Sequence, residues 1–231
     1  VLAVLCTVCF FSGCSADKNS YDVAVIGSGG AGLSAALSAK NAGASVIVLE
    51  KMPFAGGNTN YATGGLNASE TSVQKAKGIE DSNEQFFEDT MKGGKQLNNP
   101  ALVKILTEKS AQTVDWLISF GMDLSDIGKL GGATNSRAHR PAGGDAVGSH
   151  FVSVLVKAAE KAGIEIRYNA RVTAILNKDG KAAGLTVSSE GKTYEIKAKA
   201  VIVETGGFGS NPDIIVSYKP ELKGFGTTNH P

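Results

Sequence analysis

The stretch from Tyr21 to Lys51 constrains the fold more than any other part of the chain, because it reads as strand, glycine turn, helix and second strand. Val23–Ile26 is a short apolar run rich in β-branched residues, which is typical of a buried strand. The glycines that follow have the spacing G-x-G-x-x-G and stand at Gly27, Gly29 and Gly32. This spacing predicts a tight turn, close approach of the backbone to a pyrophosphate, and close packing of the next helix on the strand.

The helix and the second strand complete a βαβ unit that ends in an acidic residue. Small and apolar residues within Leu33–Ala39 form one helix face, and Gly43 suits the C-terminal end of that helix. Ser45–Leu49 is the second strand, and Glu50 follows it, 18 residues after Gly32. A carboxylate there can accept hydrogen bonds from the hydroxyls of an adenosine ribose. An ordinary glycine-rich turn is the alternative, but the flanking elements and the terminal acid, all in register, favour a dinucleotide site.

The composition is that of an ordinary globular protein, with 231 residues, 42% hydrophobic and 19% charged, and a net charge of +1. A chain of this length can bury one sizeable core. The near-neutral charge and the lack of a basic run argue against nucleic acid as a partner. We therefore expect an α/β, Rossmann-like domain with a parallel sheet over residues 21–231.

The first residues predict a processed leader. Residues 1–13 are almost wholly apolar, which is too short for a membrane span but fits the apolar region of a secretory signal peptide. Phe11-Ser12-Gly13-Cys14 then resembles the lipobox of bacterial lipoproteins, in which the cysteine is lipidated. We expect a leader over residues 1–20, lipidation of Cys14, and a place on the extracytoplasmic face of a bacterial membrane. A plain signal peptide and a periplasmic protein are the alternative.

Cysteine usage excludes several kinds of site. Cys6, Cys9 and Cys14 are the only cysteines, and Cys6 and Cys9 have C-x-x-C spacing inside the apolar leader, outside any βαβ unit. After processing at most Cys14 remains, so we predict no internal disulfide and no metal site. The chain also lacks an initiator methionine and ends at Pro231 without a closing element, so we expect both ends to be cuts in a longer protein.

A glycine-rich loop directly follows the second strand. Residues 51–65 combine four glycines with Asn and Thr, and so offer backbone N–H groups and small side chains to a bulky ligand. A surface Ω-loop is the alternative. Because the loop leaves the strand that ends under the ribose, an extended cofactor would pass over it. This favours FAD over NAD.

These motifs resemble the flavoprotein family of fumarate reductase and succinate dehydrogenase, and within it the soluble branch of flavocytochrome c fumarate reductases and urocanate reductase. The resemblance rests on G-S-G-G-A-G-L-S-A-A, V-L-E-K, G-G-N-T and T-G-G-L-N-A. It implies FAD, bound non-covalently because no histidine stands at Asn58 to Asn60, where the membrane-bound branch attaches its flavin. It implies these cofactor-binding residues: Gly27, Gly29, Gly30, Ala31 and Gly32 at the pyrophosphate turn, Glu50 and Lys51 near the ribose, and Asn58, Thr59, Gly64 and Gly65 along the flavin.

The second half of the chain reads as a three-stranded β-meander followed by a separate apolar strand. Val172–Leu176, Ala182–Val187 and Tyr194–Ile196 are divided by Asp-Gly and Glu-Gly turns, and Ala200–Val203 is fully apolar. This order resembles the second half of two-dinucleotide-motif flavoproteins. It implies further cofactor contacts by Val172 (through its backbone, to the adenine), Thr205, Gly206 and Gly207. Glu204 stands where the family has a small residue, and a phosphate would repel it unless it points to solvent.

Helices are predicted over 84–92, 100–120 and 151–162. The second has Asn98 or Asn99 as its cap, Pro100 at its start and Gly121 after its end. The residues predicted to form its buried face are Leu102, Ile105, Leu106, Val114, Leu117 and Ile118.

Two arginines and a histidine, Arg137, His139 and Arg140, lie in a Gly/Pro loop. They could face an anionic substrate or the flavin, and a solvated basic loop fits equally well. The soluble fumarate reductases carry a similar H-R-P-x-G-G stretch, which favours a place near the flavin.

The resemblance implies reduction of the activated C=C bond of a fumarate-like unsaturated carboxylate, by hydride transfer from the flavin. In this family the histidines and arginines of catalysis belong to a clamp domain, which we expect beyond Pro231, so the catalytic residues stay unknown. His139 and His230 are the remaining titratable candidates.

No C-x-x-C-H haem motif occurs, so we expect a separate electron donor. Alternatives are a urocanate reductase, a 3-ketosteroid dehydrogenase, an aspartate oxidase, or a non-catalytic lipid-anchored flavin or electron-carrier module.

Overall fold

The structure is a computed structural model, and it describes residues 19–230. The predicted lipobox and Cys14 lie outside the described residues, as does the predicted leader apart from Asn19 and Ser20, the second of which already begins a strand. The helices and strands follow in this order: β1 (Ser20–Ile26), α1 (Gly30–Asn41), β2 (Val46–Leu49), a 3-10 helix (Gly57–Tyr61), β3 (Leu66–Asn67), α2 (Ser72–Ala76), α3 (Asn83–Gly93), α4 (Pro100–Ser119), β4 (Asp126–Gly128), β5 (Ala138–Arg140), α5 (Val147–Lys161), β6 (Glu165–Arg167), β7 (Arg171–Lys178), β8 (Lys181–Ser189), β9 (Lys192–Val203), α6 (Pro212–Tyr218) and a 3-10 turn (Pro220–Leu222).

The main sheet has six strands in the order β6-β2-β1-β9-β8-β7. β6, β2, β1 and β9 run parallel to one another, whereas β8 pairs antiparallel with β9 and β7 pairs antiparallel with β8. The predicted α/β fold with a parallel sheet and a meander is therefore confirmed.

Side chains of the parallel strands alternate between two cores, as the period of two in a strand requires. Val25 and Val48 belong to the core on the side of α1 and α5, which also includes Leu33 and Leu155. On the other face, the neighbours of these valines in β1 and β2 pack against Leu185 and other residues of the meander. Both faces of the parallel strands are thus covered, which explains their nearly continuous apolar sequence.

β9 differs from the prediction. The sequence pattern suggested two strands, at Tyr194–Ile196 and Ala200–Val203, but Lys192–Val203 is one continuous strand. Its first part pairs antiparallel with β8 and its last part pairs parallel with β1. The connecting K-A-K-A stretch keeps the alternation of a strand, with Ala198 buried, and contains no turn residue. Val203 is 53% exposed, so the end of the strand is less buried than its sequence predicted.

A second sheet of three short strands, β3-β5-β4, was not predicted. Its strands have two or three residues each, which is too short for an alternating pattern to be visible. This sheet joins the glycine-rich loop after β2 to the segment around His139, because Leu66 pairs with His139.

The buried face of α4 was predicted only in part. Asn99 caps the helix through its side chain, and Val114 and Leu117 are buried as predicted. Leu102, Ile105 and Leu106 are instead 54–64% exposed. The buried stripe in that half of the helix contains Val103, Thr107 and Ser110. Ser110 is buried because its hydroxyl accepts a hydrogen bond from the Ser69 amide at 3.1 Å, a contact that a hydropathy pattern does not reveal.

Within residues 19–230, no helix combines the length and the hydropathy that a membrane span requires.

Candidate functional site

The three glycines of the motif differ in what surrounds them. A Cβ on Gly27, which has φ +101°, would lie 2.4 Å from the Glu204 carbonyl oxygen. A Cβ on Gly32 would lie 1.9 Å from the Gly27 carbonyl oxygen, so this residue lets α1 pack against the turn. A Cβ on Gly29 would meet no protein atom closer than 3.7 Å. Gly27 and Gly32 are therefore required by the fold, whereas the space before Gly29 is open to a ligand.

Glu50 ends β2 with its carboxylate buried beside the glycine turn. Its Oε2 accepts hydrogen bonds from the Ser28 amide at 3.0 Å and from the Ser28 hydroxyl at 2.7 Å. Its Oε1 accepts one from the Met52 amide at 2.9 Å. No salt bridge to Glu50 occurs among residues 19–230, so neutral donors alone stabilise this buried carboxylate.

The loop after β2 is held against the glycine turn from two sides. The Gly56 amide donates to the Ser28 carbonyl at 3.0 Å, and the hydroxyl of Thr59 accepts from the Gly30 amide at 3.0 Å. From the other side, the Gly148 amide at the start of α5 donates to the Ala62 carbonyl at 2.9 Å. The loop thus has a defined position between α1 and α5.

A cleft of about 420 Å³ opens where β1, β2 and β9 end, and we call it the strand-end cleft. Open α/β sheets bind their ligands at this edge, and the volume lies in the range of small-molecule sites. The predicted residues that line it are Gly27, Gly29, Gly30, Ala31, Glu50, Lys51, Asn58, Thr59, Val172, Thr205, Gly206 and Gly207.

Three predicted residues do not line the strand-end cleft. Gly32 lies behind the turn, as described above. A Cβ on Gly65 would lie 2.8 Å from the carbonyl carbon of Ala138 in β5, so this glycine permits close pairing of the second sheet. The Gly64 carbonyl accepts a hydrogen bond from the Val147 amide at the start of α5.

Several residues of the strand-end cleft were not among the predicted site residues. Ser28 lies directly behind this lining, where its hydroxyl contacts Glu50, and it was missed because its position in G-x-G-x-x-G is written as any residue. Arg171, directly before Val172, adds a cation to the lining. Glu204 also lines the cleft and is half-buried, with its amide bonded to the Ile26 carbonyl, so it does not simply extend into solvent.

His230, one of the two titratable candidates, lines the strand-end cleft as well. Its amide donates to the Asn58 side-chain oxygen at 2.6 Å. Its ring stacks on Tyr61, with centroids 5.8 Å apart, and meets Phe54 edge-on at 5.3 Å. The chain near its described end is therefore folded back onto the loop after β2.

Arg137 faces neither a ligand site nor solvent. For this residue, both interpretations of the Gly/Pro loop, as a ligand-facing segment and as a solvated basic loop, were therefore wrong. Its guanidinium is buried and forms a two-point contact with Asp81, with N–O distances of 2.8 and 2.9 Å. It also pairs with Asp89 at 3.0 Å and lies over the ring of Phe86 at 4.7 Å. This arginine is a structural cation between α3 and the second sheet.

His139 is also buried, and both ring nitrogens are engaged. Nδ1 lies 2.8 Å from the Arg137 carbonyl and 3.3 Å from the Leu66 carbonyl, so it donates. Nε2 then accepts from the Thr71 hydroxyl at 2.8 Å. Burial lowers the pKa of His139 below its usual value, against the opposing effect of the carbonyl contacts. His139 is thus a neutral structural histidine, away from the residues that line the strand-end cleft.

Comparison with known proteins agrees with this geometry. Fumarate reductase (cytochrome) of Shewanella frigidimarina is 51% identical over 94% of this chain and 38% of its own length. NADH:fumarate oxidoreductase of Klebsiella pneumoniae is 45% identical over 94% of the chain and 24% of its own length. The open conformation of a flavocytochrome c3 fumarate reductase superposes with a TM-score of 0.87 and 44% identity, over 92% of this chain and 38% of that one.

The chain therefore spans well under half the length of the relatives it matches. Residues 22–231 match the FAD binding domain family, which covers every element described here except the first residues of β1. On the strength of that match, the chain belongs to the FAD-binding domain family of flavoproteins.

Proposed function

We propose that the protein is an FAD-dependent oxidoreductase that reduces the activated C=C bond of a fumarate-like unsaturated carboxylate. The observation that carries this proposal is the 51% identity with a fumarate reductase over 94% of the chain. Reduced flavin supplies the hydride, as flavin cofactors do in such reactions. The described residues contribute binding and orientation.

The lining of the strand-end cleft fits such a cofactor. Near the turn, its walls are formed by glycine backbone with open space in front of it. A Cβ built on Gly57, Gly206 or Gly207 would meet no atom within 4 Å. Bare amides at the start of a helix suit a pyrophosphate. In our proposal, Gly27, Gly29, Gly30, Ala31 and Thr205 to Gly207 hold the pyrophosphate and Glu50 holds the ribose. Gly32 serves the same turn indirectly, because it lets α1 pack against it.

The remaining predicted contacts complete the proposed site. The backbone of Val172 meets the adenine, Lys51 lies near the ribose, and Asn58 and Thr59 lie towards the flavin. Gly64 and Gly65, which do not line the cleft, support this end of the site through the contacts of their backbone with α5 and β5. Without a histidine at Asn58 to Asn60, the cofactor is held non-covalently. Arg171 lies beside Val172 in the lining and can offset the charge of Glu204 next to a phosphate.

Proton delivery is not assigned to the described residues. His139 is committed on both ring nitrogens to protein partners. His230 lies in the lining but packs between two aromatic rings. We propose that a clamp domain beyond Pro231 supplies the acid and the groups that bind the substrate carboxylates.

We propose a processed leader over residues 1–20, lipidation of Cys14, and a place on the extracytoplasmic face of a bacterial membrane. The FAD-binding domain then comprises residues 21–231. Electrons reach it from a separate donor. The support for this part is the apolar run and the F-S-G-C sequence alone.

The test uses the protein at its full natural length. After purification, the flavin is reduced anaerobically with dithionite and its absorbance is followed as fumarate, urocanate or a 3-ketosteroid is added. Reoxidation by fumarate supports the proposal, and reoxidation by another compound only reassigns the substrate. If none reoxidises the flavin, the protein is a non-catalytic flavin module, and a colourless protein that takes up no FAD rejects the whole proposal.

A further inference from the structure

Ser28 is fully buried and contacts Glu50 twice. Its amide and its hydroxyl both donate to Glu50 Oε2, at 3.0 and 2.7 Å. Any residue at this position would supply the amide, but only a hydroxyl-bearing side chain supplies the second, shorter hydrogen bond. The Ser28 carbonyl accepts from the Gly56 amide at 3.0 Å, which fixes the backbone of the serine from the other side.

These contacts leave the two oxygens of Glu50 unequal. A carboxylate oxygen has two acceptor lone pairs. Oε2 has two donors from Ser28 and is saturated, whereas Oε1 has one donor, the Met52 amide. Because Glu50 lines the strand-end cleft, the remaining lone pair of Oε1 is the acceptor available to a ligand.

The terminal torsion of a glutamate is soft, so its carboxylate orientation must be set by partners. Without the Ser28 hydroxyl, each oxygen of Glu50 would keep one amide donor, so the carboxylate would be held less firmly and Oε2 would also have an unused lone pair. The carboxylate is also buried and forms no ion pair within residues 19–230, so each neutral donor matters for keeping it in place.

We propose that Ser28 is a positioning residue for the adenosine end of FAD: its hydroxyl holds the Glu50 carboxylate in the orientation that leaves an Oε1 lone pair free for a ribose hydroxyl. This inference rests on the proposed placement of the ribose at Glu50. Ser28 acts through Glu50 and touches neither the flavin nor the reacting carbon.

The experiment measures the dissociation constant of FAD for apoprotein prepared from the full-length protein. We expect Ser28→Ala to raise this constant about tenfold, the loss of one hydrogen bond to a charged group. The matched control is Ser34→Ala, since Ser34 lies in α1, six residues after Ser28, and its hydroxyl donates to the Gly30 carbonyl at 2.7 Å without touching Glu50. The control should change the constant by less than about twofold.

A double-mutant cycle separates positioning from a general loss of structure. In a Glu50→Ala background, Ser28→Ala should have no further effect on the dissociation constant, because the group that it positions is absent. An equal tenfold loss in both backgrounds would overturn the inference, as would unchanged binding by Ser28→Ala.

A second pair of variants keeps the test decisive if Ser28→Ala folds poorly. Ser28→Thr and Ser28→Val have the same shape, but only the first keeps a hydroxyl, so the threonine variant should bind FAD about tenfold more tightly than the valine variant. Equal binding by the two would contradict the role of the hydroxyl. If the unaltered protein takes up no FAD at all, the proposed function fails, which is a different result from failure of this inference.

Discussion

The amide of Gly30, in the first turn of α1, donates a hydrogen bond of 3.0 Å to the hydroxyl of Thr59. Amides in a first turn have no partner within their own helix. Here a side chain from the loop after β2 satisfies one of them. Because both residues line the strand-end cleft, this bond fixes the distance between two of its walls.

We expect Thr59→Val to weaken FAD binding about fivefold to tenfold and to lower the free energy of unfolding by about 1 kcal/mol, because the partly buried Gly30 amide loses its acceptor. Titration of the apoprotein with FAD and thermal unfolding measure the two effects. Thr63→Val is the control, since Thr63 is exposed in the same loop. Equal effects of the two substitutions would show that the Gly30 contact has no special weight.

Gly29→Val and Gly32→Val should fail in different ways. A Cβ at Gly29 has no protein atom within 3.7 Å, so the variant should fold but purify without flavin. A Cβ at Gly32 would lie 1.9 Å from a carbonyl oxygen, so that variant should lose several kcal/mol of stability, about 3 or more. Flavin absorbance per protein and the melting temperature distinguish them. A fully yellow Gly29→Val protein would contradict the proposed pyrophosphate site.

Arg137→Met should be strongly destabilising, by about 3–5 kcal/mol, because it leaves the buried carboxylates of Asp81 and Asp89 without their cation. Denaturant unfolding measures the loss. The comparison is Lys104→Met, which removes an exposed pair with Glu108 and should change stability by less than about 1 kcal/mol. A loss of similar size in both variants would mean that the buried pairs add little.

Stability should decrease as the pH falls below the ordinary histidine pKa, and His139 should account for part of the decrease. Burial lowers the pKa of His139 in the folded protein, so below about pH 6.5 the unfolded chain binds a proton that the native state does not. The contribution is at most about 1.4 kcal/mol per pH unit, and it levels off below the folded-state pKa.

The measurement is the free energy of unfolding between pH 7.5 and pH 5, compared with His139→Gln. The glutamine variant should be less stable at pH 7 but should show a shallower dependence on pH. His150→Gln is a useful second variant, because His150 accepts from the Asp123 amide and is less buried. Parallel pH curves for wild type and His139→Gln would contradict the assignment of His139 as a neutral buried group.

Cys14→Ser should release the protein from the membrane fraction of a bacterial host if Cys14 is lipidated, since the thiol is the site of acylation. Fractionation followed by immunoblotting checks this. Ser15→Ala, next to the proposed site, is the control and should not change the distribution. Unchanged membrane association of Cys14→Ser would reject the lipobox interpretation.

The βαβ unit from β1 to β2 was predictable because local signals agree there: β-branched strands, spaced glycines and a terminal acid within about thirty residues. The same holds for the cap of α4 at Asn99. In both cases the determining contacts lie close together in sequence.

The sequence-based predictions are wrong where contacts between residues far apart in sequence determine which side chains are buried. Ser110 is buried on α4 because of an amide at Ser69, and His139 is buried because carbonyls and a hydroxyl from β3, β5 and the start of α2 surround it. Arg137 looked like a ligand-binding residue because its two acidic partners are remote in sequence. Polar residues with buried, distant partners resemble solvent-exposed ones in a sequence pattern.

The continuity of β9 has a consequence for synthesis of the protein on the ribosome. β1 pairs with β2 on one side, but its other edge pairs with β9, which is synthesised much later. The last residue of β1, Ile26, pairs with Val203, which lies 177 positions further along the chain. At translation rates of about 5–20 residues per second, the nascent chain spends on the order of 10–35 s with this apolar edge uncovered. The strand order itself thus delays completion of the parallel sheet until most of the chain has been synthesised.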